Sequence, residues 1–408
     1  KPFCIVGLPP SDLTIHKMIL TQCAVCATEL GLSLGKKCGR CSTRYCGAAC
    51  QVQHWKEGGH DTLCKKIKRA GGAEQYNANT KYSEAVAVAA EACADDTRGQ
   101  TCYICTQALH WKTREGLVRM CACRGTAGFA HVSCLAEQAK ILVAEAKENN
   151  LRAKDKNERW ARWHTCGLCE QQYHSVVACA LGWACWKTYL GRPEGDSYRQ
   201  SAMQQLGSGL SAAGHHEEAL SVREAELAML RRLGAPEHHI LCTQSNLANT
   251  YAAVGRDEEA LPMRREVYSG RLNLNGEEHG ETLSAANNYA FSLLDLQRFE
   301  EARSLLRKMI PVARRTLGES KRLTLLLRWN YAKTLCLDTG ATFDDIREAV
   351  TTLEETERTA RRVLGGAHPL TVDIEGNLRN ARIMLRAREG DVEPLRAAVE
   401  AMAPGDAQ

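Results

Sequence analysis

Cysteine and histidine fall in two sets of eight, and nothing else in this chain restricts its fold as strongly. The first set is Cys23, Cys26, Cys38, Cys41, Cys46, Cys50, His60 and Cys64. The second is Cys102, Cys105, Cys121, Cys123, His131, Cys134, Cys166 and Cys169. A C-x2-C pair is short enough for both sulfurs to grip one ion, and eight soft donors complete two tetrahedral zinc sites. Four donors per ion close a structural site and leave no coordination position open for catalysis. The same spacings read as a disulfide framework in an oxidising compartment, but no signal or transit peptide is visible here. The sequence therefore predicts four zinc ions per chain.

The donors are also unevenly placed. Of 20 cysteines, 18 precede residue 186, and only Cys242 and Cys336 follow. A metal-rich front half is thus followed by a back half that must fold on an apolar core. At 408 residues, 44% hydrophobic and 25% charged, the chain is globular and long enough for two or three domains. Its net charge of +5 gives no case for nucleic acid or a membrane surface as partner. The basic run Lys65, Lys66, Lys68 and Arg69 lacks interleaved aromatics and reads as a solvated helix end. No run of about 18 apolar residues is present, so no membrane-spanning helix is expected. Reduced thiols and zinc fit the cytoplasm or nucleus.

The first set resembles the MYND zinc finger over residues 23–64. The resemblance rests on the C-x2-C, C-x4-C and C-x3-C steps, Tyr45, the His54-Trp55 pair and the closing H-x3-C. It departs at Gly58-Gly59, which lengthens the last gap. The family implies interleaved ligands: Cys23, Cys26, Cys46 and Cys50 on one zinc, and Cys38, Cys41, His60 and Cys64 on the other. It also implies binding of short proline-containing peptides, with Gln51 and Trp55 at the groove positions. Trp55 reads equally as a core aromatic beneath the second ion.

The second set runs four Cys, one His, three Cys. A single residue separates Cys121 from Cys123, and seven precede His131. The central segment CACRGTAGFAHVSC resembles the RING-CH finger, and the resemblance covers residues 102–169. It implies a cross-braced pairing, with Cys102, Cys105, His131 and Cys134 on one ion and Cys121, Cys123, Cys166 and Cys169 on the other. It further implies a ubiquitin ligase that positions a charged ubiquitin-conjugating enzyme, so that catalysis is orientation. Ile104 matches the family's apolar docking residue. Gln138 stands where the family has Trp, and Glu170 where active ligases carry a basic residue. Trp160 and Trp163 read as substitutes for that Trp or as packing aromatics. His164 and His174 flank a complete donor set and read as surface or capping residues. Cys93, Cys179 and Cys185 read as small buried apolar residues.

From residue 197 the text repeats. Ala219, Ala260 and Ala302 recur, as do Asn246, Asn288 and Asn330, and Gly234, Gly276, Gly318 and Gly365. The interval is 41–42 residues, stretched to 47 by an insertion at 338–342. Each unit holds two apolar-periodic segments, with Gly214 and Gly255 where a helix C-terminus belongs. Four helical hairpins and a closing helix over 369–388 are expected, because one hairpin cannot bury its apolar face alone. Pro262 and Pro311 fall in second helices and are expected to bend them. The pairs His215-His216 and His238-His239 read as exposed turns. The text resembles tetratricopeptide repeats of the kinesin-light-chain kind. That implies peptide binding by the first helices, with the three asparagines either on the peptide or bonding a neighbouring helix.

The fold expected is therefore small zinc-stabilised cross-brace modules followed by an all-α helical-hairpin solenoid. Its parts are a lead-in (1–22), the first finger (23–64), a linker with an Ala-rich helix (65–101), the second finger (102–172), a connecting helix (173–196), the repeats (197–388) and a tail (389–408). No nucleophilic triad, paired carboxylate or phosphate loop stands out. Two functions follow: a zinc-binding scaffold for proteins or peptides, and a RING-CH-type ubiquitin ligase whose other modules select substrates.

Overall fold

The computed structural model describes residues 23–28, 30–31 and 34–402, without the side chains of 391–402. The lead-in 1–22 and residues 403–408 lie outside the described residues. The chain divides into two compact units between Val254 and Gly255.

The first unit opens with an antiparallel pair, β1 (Lys36–Lys37) and β2 (Arg44–Tyr45), with Lys36 opposite Tyr45. Helices α1 (Ala48–Lys56), α2 (His60–Arg69) and α3 (Ala73–Ala92) follow. The second set lies in the loops before and after α4 (Val132–Glu148) and α5 (Ala153–Trp160), with Cys134 in the first turn of α4 and His131 just ahead of it. Next come α6 (Ser175–Tyr189), α7 (Ser197–Ala212), α8 (His216–Arg232) and α9 (Glu237–Ala253).

Helix α6 carries apolar residues all round, the pattern of a helix covered on every side. It packs on α3 and α4 on the zinc-module side and on α7 on the repeat side. Gly209 sets the approach to α7: a Cβ there would lie 2.5 Å from the Ala178 carbonyl oxygen. One core therefore runs from Cys102, Cys134 and Cys166 through Leu181 and Trp183 to Met203, Leu206 and Met229. The sequence boundary at 196/197 crosses that core, because α6 serves both neighbours.

The second unit holds α10 (Asp257–Asn275), α11 (Gly280–Asp295), α12 (Phe299–Leu317), α13 (Arg322–Leu337), α14 (Phe343–Leu364) and α15 (Pro369–Met402). Within it, successive helices pack against one another. The marker residues Ala219, Ala260 and Ala302 are fully buried, where any larger side chain would separate neighbouring helices. The marker glycines close the second helices with φ between +61° and +88°, a backbone range that glycine adopts without the cost a Cβ would bring. Pro262 and Pro311 lie inside α10 and α12. The insertion at 338–342 ends in a capping box, with Thr342 and Asp345 satisfying each other's backbone groups at the start of α14. Three details differ from the sequence reading. Helix α15 continues past 388. His216 opens α8. His238 and His239 sit in the first turn of α9, their rings 4.2 Å apart.

Candidate metal centres and docking surfaces

Each C-x2-C pair is built on the same turn. Ala27, Ser42, Thr106 and Glu170 directly follow Cys26, Cys41, Cys105 and Cys169, and all four have φ between +56° and +62°. Each returns its N–H to the carbonyl of the first cysteine of its pair, at 2.8–3.2 Å. In the second module the loop amides also face sulfur: Ile104 N–H donates to Cys102 Sγ and Leu168 N–H to Cys166 Sγ, both at 3.4 Å. Amides aimed at sulfur favour the thiolate, the form that binds metal.

These turns gather the donors into four groups: Cys23, Cys26, Cys46 and Cys50; Cys38, Cys41, His60 and Cys64; Cys102, Cys105, His131 and Cys134; Cys121, Cys123, Cys166 and Cys169. The ligand atoms of each group lie within 4.8 Å of one another. The pairing is interleaved in both modules, with no disulfide among the described cysteines. Four sulfurs at about 2.3 Å from a tetrahedral ion stand about 3.8 Å apart. The separations here bracket that value: Cys26–Cys46 3.4 Å, Cys50–Cys26 3.7 Å, Cys38–Cys64 4.0 Å and Cys123–Cys166 3.7 Å. The donors present therefore fit a metal ion in every group.

Charge points the same way. The Thr28 hydroxyl, 3.1 Å away, holds the Cys26 thiol down to about 6. The crowding thiols of Cys46 and Cys26 push Cys50 up to about 12. Only a cation among them lets all four sulfurs ionise together near neutral pH.

The two histidines are fixed differently. His131 turns Nδ1 to Cys105 (3.3 Å) and Cys134 (3.6 Å), and its Nε2 faces the Ala108 carbonyl at 3.4 Å. That outer bond sets the ring's orientation. His60 turns Nε2 to Cys41 at 3.4 Å. Its ring lies 4.9 Å from that of His54, which accepts from or donates to the Tyr45 hydroxyl at 2.9 Å and takes no place among the donors. The cysteine loop before His131 closes on Gly128, where a Cβ would fall 2.6 Å from Cys123 Cβ and 2.9 Å from its sulfur. Arg119 braces the same loop through Asp96 (2.8 Å) and the Gly125 carbonyl (2.7 Å).

Residues 23–64 match the family model of the MYND finger, residues 102–169 that of the RING-variant domain, and residues 243–281 and 282–320 that of the tetratricopeptide repeat. This is one chain with a MYND finger, a RING-variant domain and tetratricopeptide repeats. No curated protein matches the sequence closely enough to count as a relative. Among solved structures it is similar to two of the putative kinesin light chain nearly identical TPR-like repeats of Podosopora anserina. Both are 18% identical over 57% of this chain and 97% of that chain, with TM-scores of 0.40 and 0.39. It is also similar to BtubC (BKLC) from P. vanneervenii, at 16% identity over 68% of this chain and 95% of that chain, with a TM-score of 0.40.

In the MYND finger, Gln51 and Trp55 both lie on α1. Gln51 is half-buried, while Trp55 is 46% exposed with its ring edge against His60. In the RING-variant domain Ile104 sits at the tip of the first turn, 36% exposed. Leu168 occupies the same place in the last C-x2-C pair and is 52% exposed. Sequence reasoning passed over Leu168, although its position inside the pair repeats that of Ile104. Trp163 is fully buried, and Trp160 packs on Tyr189 and Tyr198 at 5.4 and 5.8 Å, so both are packing aromatics. His164 is half-buried and His174 precedes α6; neither joins a donor group. Cys93, Cys179 and Cys185 are buried.

The repeated asparagines divide. Asn330 is 2% exposed and its amide donates to Asn287 Oδ1 at 3.1 Å, a bond between neighbouring first helices. Asn246 and Asn288 are half-buried, and their carbonyls accept from Arg223 (2.6 Å) and Arg264 (3.2 Å). Both arginines are buried and stand four residues after a marker alanine. The recurrence of Arg at that step is a sequence signal for this bond that the repeat reading missed.

Proposed function

We propose that this chain is a protein-interaction scaffold that holds four zinc ions and binds peptides through its MYND finger and its repeats. The observation that carries this reading is the completeness of the metal groups. Each offers four Cys or His donors, so every ion is structural and none keeps a position for substrate. Cysteine-dominated tetrahedral sets favour zinc over other divalent ions. Thiols kept for metal ask for a reducing compartment, the cytoplasm or nucleus. On this reading Gln51 and Trp55 on α1 take a short proline-containing peptide. The first helices of the repeats take extended peptide segments, with Asn246 on such a helix of the first unit and Asn288 on one of the second. Native mass spectrometry is expected to count four zinc ions, and Trp55→Ala to weaken a proline-containing peptide without changing that count. Fewer ions, or an unaffected peptide, would sink the corresponding half of the reading.

A second reading, a ubiquitin ligase, is favoured by Ile104 and Leu168, matching apolar side chains presented by matching turns. The RING-variant domain would dock a conjugating enzyme there and act by orientation alone. Discharge of ubiquitin from a charged conjugating enzyme, lost in Ile104→Ala and in Leu168→Ala, is the expected signature. No discharge across a panel of such enzymes leaves the scaffold.

A further inference from the structure

The loop Thr106–Gly116 leaves the first ligand pair of the RING-variant domain and carries Trp111 at its tip. Trp111 is 73% exposed, more than any other large hydrophobic side chain among the described residues. Leu109, two residues before it, is exposed as well. The loop that carries this exposed indole is held at many points.

Cys102 N–H donates to the Gln107 carbonyl at 3.0 Å, and the ligand His131 faces the Ala108 carbonyl through Nε2. His110 is buried with its ring 5.3 Å from that of His131. Its Nδ1 accepts from the Thr113 N–H at 3.1 Å and lies 2.8 Å from the Thr113 hydroxyl. Arg114 N–H returns to the His110 carbonyl at 2.9 Å, and His110 N–H to that of Glu115 at 3.1 Å. Glu115 is itself taken by Ser133 at the start of α4, through the backbone N–H (2.7 Å) and the hydroxyl (2.8 Å). Every buried or acidic group of the loop is thus used to fasten it to the metal group and to α4.

What remains at the tip is Trp111, Leu109 and the two exposed cations Lys112 and Arg114. Neither cation makes an ion pair with another described residue, and Glu115 turns its carboxylate inward. A rigid Trp flanked by basic side chains is the composition of a binding hot spot, since the ordering cost is already met before the partner arrives.

We propose that this loop is a docking knob, separate from Ile104 and Leu168, for an acidic protein segment that carries an apolar side chain. Trp111 and Leu109 would fill against the apolar residue, while Lys112 and Arg114 pair with flanking carboxylates. The charge selects an acidic partner, and the small cation number argues against a membrane. Anionic bilayers are held by clusters of about four to eight Lys or Arg or by an amphipathic helix, and this tip offers neither. The inference rests on the scaffold reading and names a partner class for one of its surfaces.

The test uses the full zinc-loaded chain and labelled peptides in which Leu and Phe are flanked by runs of Glu. Matched peptides replace Glu by Lys, or the apolar pair by Ser; phosphatidylserine vesicles form a further arm. The acidic apolar peptide is expected to bind, with loss of about tenfold or more in Trp111→Ala. Lys112→Glu combined with Arg114→Glu is expected to reverse the preference toward the Lys peptide. Unchanged zinc content in both variants shows that the fold is intact. Equal binding by Trp111→Ala, no preference for Glu over Lys, no peptide binding, or binding to the vesicles alone would each overturn the proposal. Loss of the acidic peptide only in Gln51→Ala or Trp55→Ala would overturn it and leave the scaffold reading standing.

Discussion

The MYND finger and the second helical unit reach order by different means. Among the described residues the finger's apolar core has eight buried residues, and four of them are the ligands Cys23, Cys38, Cys41 and Cys64. The larger core cluster of the second unit has twenty, from Leu283 to Ala381, and a smaller one holds Leu261, Leu293, Leu294 and Ala302; none is a cysteine. Half of the finger's apolar interior is therefore metal ligand, whereas the second unit buries mostly leucine and alanine, with Met309, Val312, Tyr331, Val350 and Ile374 among them. Metal and apolar burial are alternative answers to one difficulty, that conformational entropy opposes folding and a short segment has little surface to bury. The RING-variant domain lies between these cases. Its ligands Cys102, Cys134 and Cys166 belong to the same core as Met203 and Leu206 of the first repeat.

The largest expected effect separates the two regimes. Chelation, or Cys134→Ser, removes zinc binding worth about 10–16 kcal/mol in small zinc peptides. The first unit is expected to lose helicity and metal together, while a fragment of residues 255–408 keeps its circular dichroism. A 197–408 fragment lacks the α6 cover over Met203, Leu206 and Leu210, and its first repeat is expected to melt before the rest. If 197–408 melts as one cooperative unit at the temperature of 255–408, the shared core is unimportant.

A smaller change asks whether one metal group can fail alone. Gly128→Ala forces a Cβ onto Cys123 at a backbone φ of +87°. Native mass spectrometry is expected to find three ions in place of the proposed four. Retention of all of them would show that the loop shifts freely.

The joint between the regimes has its own test. Gly209→Ala sets a methyl group against the Ala178 carbonyl, and overpacking of this kind costs about 1–3 kcal/mol. Denaturant unfolding of the first unit should move by that amount, with the second unit unchanged. No movement would mean that α6 and α7 are not held at the spacing described.

The smallest effect concerns Glu226, which burial pushes up to about 7 against an ordinary value of 4.5 and which accepts from Thr243 at 3.2 Å. Because the folded value is the higher one, the stability of its neutral form is complete below about 4.5 and is lost as pH rises through about 7. Between pH 6 and 8 the wild type should lose about 1 kcal/mol relative to Glu226→Gln. Parallel pH profiles for the two proteins would remove Glu226 from the account.

Much of this was legible in the residues because it depends on spacing along the chain. A C-x2-C pair closes on one ion whatever surrounds it, and a residue repeated at 41–42 positions returns to the same place in each hairpin. The C-x2-C pairs, the hairpins α7–α8, α11–α12 and α13–α14, and the marker glycines belong to that class, whereas which pairs share an ion was implied by the resemblance to known fingers. Asn330 does not, since repetition is equally consistent with a groove residue and with the bond to Asn287 that the stack supplies. Leu168 and the buried arginines were written in the sequence as recurrences and were passed over there.

The sequence by itself determined which neighbouring cysteines close in pairs on one ion, where the glycine-marked helices end, and that metal and repeats occupy different stretches. These are short-range properties, set by bond lengths, backbone preferences and side-chain period. Only the tertiary structure decided that α6 is shared interior, that Gly209 admits α7 to it, and that the loop bearing Trp111 is fastened to the ligand His131. Those facts depend on which distant surfaces meet, and an apolar helix such as α6 carries no mark in its own residues of the partners that will cover it.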